Sequence, residues 1–137
     1  MNKTPEVLIW SDSFNLGDER IDRQHRLIFD LINDFVYTIN KRSILILQET
    51  LEFLMNYTVF HFRDEEELQK KWNYPEYDNH KQLHDKFKER ISELVRKYNE
   101  NPESEKLLDD VINTLKKWLL NHIEFEDQKL KQYNPSV

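Results

Sequence analysis

The feature that most narrows the fold is a ladder stepping alternately by four and three residues: Leu47, Leu51, Leu54, Thr58, His61, Glu65, Leu68 and Trp72. That spacing is one seam of an α-helix, and a seam this apolar belongs against other helices. Within it His61 and Glu65 stand one turn apart, pointing the same way, where a bundle helix calls for apolar side chains. An unpaired carboxylate kept from water is costly enough to neutralise or turn outward, so a buried pair of this kind implies something bound to it. A second ladder, His80, His84, Phe87, Ile91, Leu94 and Tyr98, carries two histidines in the same relation. Two helices therefore aim pairs of metal-ligating side chains inward.

The rest of the chain reads as helices that can pack on these two. An arm, Met1 to Gly17, holds Val7, Leu8, Ile9, Trp10 and Phe14, too apolar to hang free, and is expected to lie across the bundle. Asp18 is the N-cap of a first helix running to about Lys41, with His25, Ile28, Ile32, Phe35 and Ile39 inward. Ser43 caps the second, from about Ile44 to Lys71, roughly 40 Å long at the usual rise. Trp72-Asn73-Tyr74-Pro75 stops it, because the residue before a proline is pushed out of the helical region. A third runs from about Glu76 to Asn99, and Asn101-Pro102-Glu103 reads as cap, first position and acidic first turn of a fourth. That helix presents Leu108, Val111, Ile112, Leu115, Trp118, Leu119 and His122 on its apolar face and ends before Asn134-Pro135. Four long helices with short links make an all-α, antiparallel, up-down-up-down four-helix bundle over residues 18–134, one domain across 1–137.

Composition decides what such a bundle can hold. Cysteine is absent, which excludes thiolate metal sites, cysteine nucleophiles and cysteine-held iron–sulfur clusters together, so any metal is held by nitrogen and oxygen. A single glycine leaves no Gly-rich phosphate loop. The net charge of −6, with Lys and Arg scattered among carboxylates, argues against nucleic acid as a partner. No stretch approaches a membrane span or a signal peptide, so the expectation is a cytoplasmic protein with no membrane partner.

All five histidines, His25, His61, His80, His84 and His122, fall on inward seams. With about three helical positions in seven facing a core, chance would do this about one time in seventy. Five imidazoles exceed the needs of one tetrahedral zinc, and two metals sharing carboxylates are the natural solution. Glu65 supplies one carboxylate. Near His122, periodicity prefers Glu126 at i+4, since the i+5 residue Asp127 lies about 140° around a regular helix. Asp127 joins only by approaching from another side or through a local π-type widening.

At this point the residues resemble a family, the hemerythrins, whose architecture is the four-helix bundle. The likeness is carried by Trp10 to Gly17, Ile21-Asp22-Arg23-Gln24-His25, His61-Phe62-x-x-Glu65-Glu66, Tyr74-Pro75, His80-x-x-x-His84, and Trp118-Leu119-x-x-His122-Ile123-x-x-x-Asp127, about residues 10–130. The free-standing length looks like that of the bacterial members.

The resemblance implies two iron ions with a solvent-derived oxo or hydroxo bridge. His80, His84 and His122 hold one and His25 and His61 the other, with Glu65 and Asp127 shared, so it overrules periodicity in favour of Asp127 over Glu126. Three imidazoles saturate one iron, while two leave an open position on the other, where an exogenous ligand binds. The implied function is reversible O2 binding, for oxygen transport, storage or delivery, and not catalysis. Ile28, Phe62 and Leu119 are the expected apolar lining of the O2 pocket, and Trp118 is close enough to touch it. Of the acidic run, Asp64 and Glu67 are expected at the solvated surface. Two other readings share the metal pair: a sensor of O2, redox state or iron acting through a separate protein partner, and a di-iron peroxidase or ferroxidase. Oxidative di-iron bundles are carboxylate-rich with Glu-x-x-His motifs, unlike the His-rich set here.

Overall fold

The computed structural model describes residues 8–39, 41 and 43–136, and those residues form helices and turns without a strand. After a 3-10 turn at Asp12–Phe14 come α1 (Glu19–Thr38), α2 (Ile44–Lys71), α3 (Tyr77–Glu100) and α4 (Glu105–Asn121). The last continues through a π-helical segment, His122–Glu126, into a 3-10 segment, Asp127–Tyr133. Helix α1 packs on α2 and α4, and α3 packs on α2 and α4. His25 near the start of α1 meets His61 in the later half of α2, and His80 at the start of α3 meets Glu65. Successive helices therefore run antiparallel, and the polar residues of all four gather toward one end.

The ends of the helices follow from short polar side chains. Asp18 and Ser43 each cap as the sequence suggests, accepting from the amides of Ile21 at 3.0 Å and Ile46 at 3.2 Å. Helix α2 stops in a Schellman arrangement, in which Asn73 takes φ 54° and the amides of Asn73 and Tyr74 donate to the carbonyls of Lys70 and Gln69. Two boundaries differ from the sequence reading. Helix α1 ends at Thr38, not near Lys41. Asn101 is the C-cap of α3 and not the N-cap of α4: Ser104 accepts from the Leu107 amide at 3.2 Å, and Pro102 is the second residue of a turn closed by Ser104 N–H to the Asn101 carbonyl. The fixed φ of proline suits that turn position as well as a first helical turn.

The whole α2 ladder from Leu47 to Trp72 is buried, as are Ile28, Ile32 and Phe35 on α1, with Ile39 half-buried. Two apolar clusters result. The larger fills the long part of the bundle around Phe35, Leu51, Leu54, Ile91, Tyr98 and Leu115, and the smaller closes the other end with Leu16, Ile21, Leu68, Trp72, Tyr74 and Leu130. The histidines and their carboxylates form a polar layer between the two.

The arm is pinned by side chains rather than by its own hydrophobicity alone. Asn33 brackets Leu8, accepting from its amide at 2.7 Å and donating to its carbonyl at 2.8 Å. Asp22 accepts from the amides of Leu16 and Gly17, while Gln128 and Asn134 donate to the carbonyls of Phe14 and Leu16. Leu8 is buried and Trp10 and Phe14 pack on the main core, but Ile9 is 77% exposed, against the expectation that it would be covered; Val7 lies outside the described residues. Gly17 sits at φ 92°, and an added Cβ would meet Asn134 Nδ2 at 2.5 Å. Gly17→Ala is therefore expected to destabilise the fold by about 1–3 kcal/mol, read as a lower midpoint in urea; an unchanged midpoint would show that the arm's turn carries no stability.

Candidate metal centre

Helical spacing explains most of the site. His61 and Glu65 are i,i+4 on α2 and His80 and His84 are i,i+4 on α3, so each pair projects from one face, while His25 and His122 enter from α1 and the end of α4. Asp127 arrives by a different device. From His122 to Glu126 the helix widens to a π-turn, and the Asp127 amide donates to the His122 carbonyl, five residues back instead of four. That extra residue in the turn swings Asp127 onto the face that Glu126 would hold in a regular helix. Asp127 is fully buried, whereas Glu126 faces Lys129 at the surface, 3.2 Å away.

All seven residues, His25, His61, Glu65, His80, His84, His122 and Asp127, are at most 2% exposed and turn their ligand atoms toward one another. They divide into two overlapping groups: His80, His84 and His122 with both carboxylates, and His25 and His61 with the same two carboxylates. Each carboxylate is split between the groups. Glu65 Oε2 lies 3.0 Å from His25 Nε2 and 3.2 Å from His61 Nε2, while Oε1 lies 2.8 Å from His80 Nε2 and 3.3 Å from His84 Nε2. Asp127 Oδ2 lies 3.2 Å from His25 Nε2, and Oδ1 lies 3.0 Å from both His80 and His122.

The outer nitrogens of two rings are held by residues the sequence reading did not assign. His84 Nδ1 donates to Glu66 Oε2 at 2.8 Å, and His61 Nδ1 donates to Gln24 Oε1 at 2.8 Å. Gln24 Nε2 in turn donates to Asp64 Oδ2 at 2.7 Å, which also takes Arg20 at 2.8 Å. Asp64 is thus not surface background: its side chain is 8% exposed and anchors the chain that orients His61, whereas Glu67 is exposed as expected. Fixing the proton on Nδ1 turns the Nε2 lone pair inward, the usual role of such outer acceptors. The available clue was adjacency, since Gln24, Asp64 and Glu66 each neighbour a ligand-type residue in sequence and so sit at the helix flanks.

This donor set fits cations better than it fits itself. His84 Nε2 lies 2.8 Å from His122 Nε2, and with the His84 proton on Nδ1 a lone pair points at the neighbouring ring. Both Asp127 oxygens are buried and, despite lying close to three imidazoles, form no hydrogen bond of acceptable direction. Electrostatics point the same way. Burial alone would lower His25 and His80, but the Asp127 and Glu65 carboxylates outweigh it and push them up to about 9 and about 10. His122 is raised against its burial by Asp127, and His61 is lowered by burial and by the charge of His25. Glu65 is held well below the carboxylate range in spite of burial, by its imidazole neighbours, and Asp127 is likewise lowered. Without a metal, protons take the place of cations in this cage.

The expected pocket residues are all buried, but they are not equivalent. Phe62 stacks flat on His84 at 3.9 Å and Trp118 on His122 at 4.4 Å, so the three-imidazole half has an aromatic wall. Phe62 reaches His61 at 6.0 Å, and Trp10 lies 6.5 Å from His25.

A helical bundle enclosing a dry layer of five imidazoles and two shared carboxylates defines a cation-binding bundle protein. Comparison with known proteins agrees, because the family described as "Hemerythrin HHE cation binding domain" matches residues 16–133. A bacteriohemerythrin of Stenotrophomonas maltophilia is 32% identical over 89% of this chain and 78% of its own length. A hemerythrin-like protein of Naegleria gruberi is 34% identical and a myohemerythrin of Theromyzon tessulatum 33%, each over 93% of both chains. The chain belongs to the hemerythrin family. That membership supports a protein of the non-haem di-iron, O2-binding type. No helix among the described residues is long and apolar enough to cross a membrane.

Two outcomes check the geometry. Asp127→Asn is expected to weaken iron retention by at least about tenfold while Glu126→Gln leaves it nearly unchanged, measured as iron per chain after dialysis against a chelator; the reverse ranking would place the bridge at i+4. Since His25 and His80 carry protons at pH 7 in the metal-free cage and His122 is raised as well, loading ferrous iron in weakly buffered solution should release at least about two protons per chain. The release should shrink as the starting pH rises through 9 and 10, and loading without acidification would contradict the electrostatics.

Proposed function

We propose that the layer would hold two iron ions, His80, His84 and His122 serving one and His25 and His61 the other with Glu65 and Asp127 available to both, and that the protein binds O2 reversibly at the His25/His61 side. The observation that carries this reading is the unequal division of imidazoles, three against two, around carboxylates whose oxygens face one group each. Bound ferrous iron would supply the electrons that O2 requires and recover them on release.

The side chains do the remaining work. Glu66 and Gln24 fix the protons on His84 Nδ1 and His61 Nδ1, so that both Nε2 lone pairs point into the cage before any metal arrives. Their acceptors differ: a carboxylate behind His84, a neutral amide behind His61. The first makes its ring the stronger donor, and the second leaves the two-imidazole side less electron-rich. Ile28, Phe62 and Leu119 are no more than 1% exposed and keep water from the layer. A dry wall disfavours departure of a charged oxygen species relative to neutral O2, which favours binding over oxidation. With Glu65 and Asp127 both taken up in holding iron, no carboxylic acid of the layer would be free to protonate a substrate, which favours a carrier or store over an oxidase.

Anaerobic reduction followed by alternating O2 and argon tests this reading. Uptake of about one O2 per two irons that reverses over several cycles is expected; irreversible oxidation on first exposure, or steady turnover of added iron or peroxide, would replace a carrier with an enzyme. Leu119→Ser should speed autoxidation several-fold through a wetter pocket with iron content unchanged. Equal autoxidation in the variant would remove Leu119 from the pocket wall.

A further inference from the structure

The outward face of α2 carries a second seam that the metal layer does not use. Glu49, Phe53, Asn56, Phe60 and Arg63 follow one another at four, three, four and three residues, all exposed, with Phe53 at 58% and Phe60 at 46%. The inward seam of the same helix is the buried ladder from Leu47 to Trp72, so α2 shows two uncovered phenylalanines, flanked by polar residues, on the side opposite its core face. Six of the ten exposed large hydrophobic residues among the described ones lie on α2. Scattered singly they would mean little, but concentrated on one helix they mark an interaction surface. A seam recurring every 3.5 residues is shaped to receive another helix.

We propose that the helix it receives is α2 of a second copy of this chain, packed antiparallel about a two-fold axis at Asn56–Tyr57. The seam is its own complement when reversed. Turning a second α2 end for end about that axis sets Phe53 against Phe60 of the second copy and Phe60 against Phe53, and brings Glu49 and Arg63 to within one residue step of each other, a span their long side chains cover. Asn56 falls next to its own counterpart. A two-fold interface demands this reciprocity, each contact occurring twice. An unrelated helix would have to match an acidic end, two aromatics, a central amide and a basic end independently. The chain's net charge of −6 opposes non-specific self-association, so the pairing rests on the opposed charges at the ends of the seam. Asn56 between the two phenylalanines fixes register at some cost in affinity, as a polar residue set between apolar ones does in a helix seam. From Glu49 to Arg63 the seam is about 21 Å long, with Ile46, 41% exposed, one turn before it.

Sedimentation equilibrium of the iron-loaded full chain between about 5 and 200 µM tests this, with circular dichroism showing that each variant remains folded. The wild type is expected at twice the chain mass, and Phe53→Glu with Phe60→Glu at the single mass. Glu49→Arg and Arg63→Glu should each weaken the dimer by about tenfold, and the double exchange should recover most of that loss, because it restores opposite charges in the reversed pairing. A wild type monomeric throughout the range overturns the proposal and leaves the seam to a different protein. A dimer that survives the paired phenylalanine changes, or a double charge exchange no tighter than the single ones, overturns it equally, since the interface would then lie elsewhere or run in another direction.

Discussion

Two carboxylates and five imidazoles share one dry layer, and the rest of the molecule is arranged around keeping them there. Neither Glu65 nor Asp127 reaches water, and the two are neutralised by rings that together come from all four helices. A charge removed from water must be matched by charges placed within hydrogen-bonding range, or it will not stay ionised. The layer can therefore exist only if all four helices arrive in register. This is why the two apolar clusters lie on either side of it: they supply the burial that fixes the helices, and the polar layer contributes chemistry rather than net stability.

The same requirement explains the peripheral devices. The arm carries Trp10 and Phe14 over the α1 side, held by Asn33, Asp22, Gln128 and Asn134, and so closes the layer where the first helix alone would leave it open. The α2 Schellman turn at Asn73 brings Tyr74 down onto the His80 ring at 6.2 Å. On the three-imidazole side, Phe62 and Trp118 lie flat against His84 and His122, with Phe87 stacked on Trp118 at 4.1 Å. The rings are clamped by packing as well as by hydrogen bonds, so their orientation is set by the surrounding fold.

Much of this was legible along the chain because helical periodicity is a local property. The α2 ladder and the His80/His84 ladder identified both the bundle and the inward histidines, and Asp18 and Ser43 marked their helix starts correctly. The failures have local causes too. Pro102 satisfies a turn and a helix start with the same φ, so sequence alone did not separate Asn101 from Ser104 as the cap. Asp64 reads as one more acid in an acidic run, and nothing in its own helix announces that Gln24 and Arg20 of α1 stand opposite it.

The sequence by itself determined four amphipathic helices, a ligand vocabulary of imidazole and carboxylate with no thiolate, and the one-turn pairing of those ligands on α2 and α3, because each depends only on residue chemistry and spacing within one helix. Tertiary structure decided what no single helix contains. It set which carboxylate oxygen faces which ring, which neighbour holds each outer nitrogen, and the π-turn that brings Asp127 inward in place of Glu126. Regular periodicity favoured Glu126, and only the demand of the buried rings for a second anionic partner gives the wider turn its compensation.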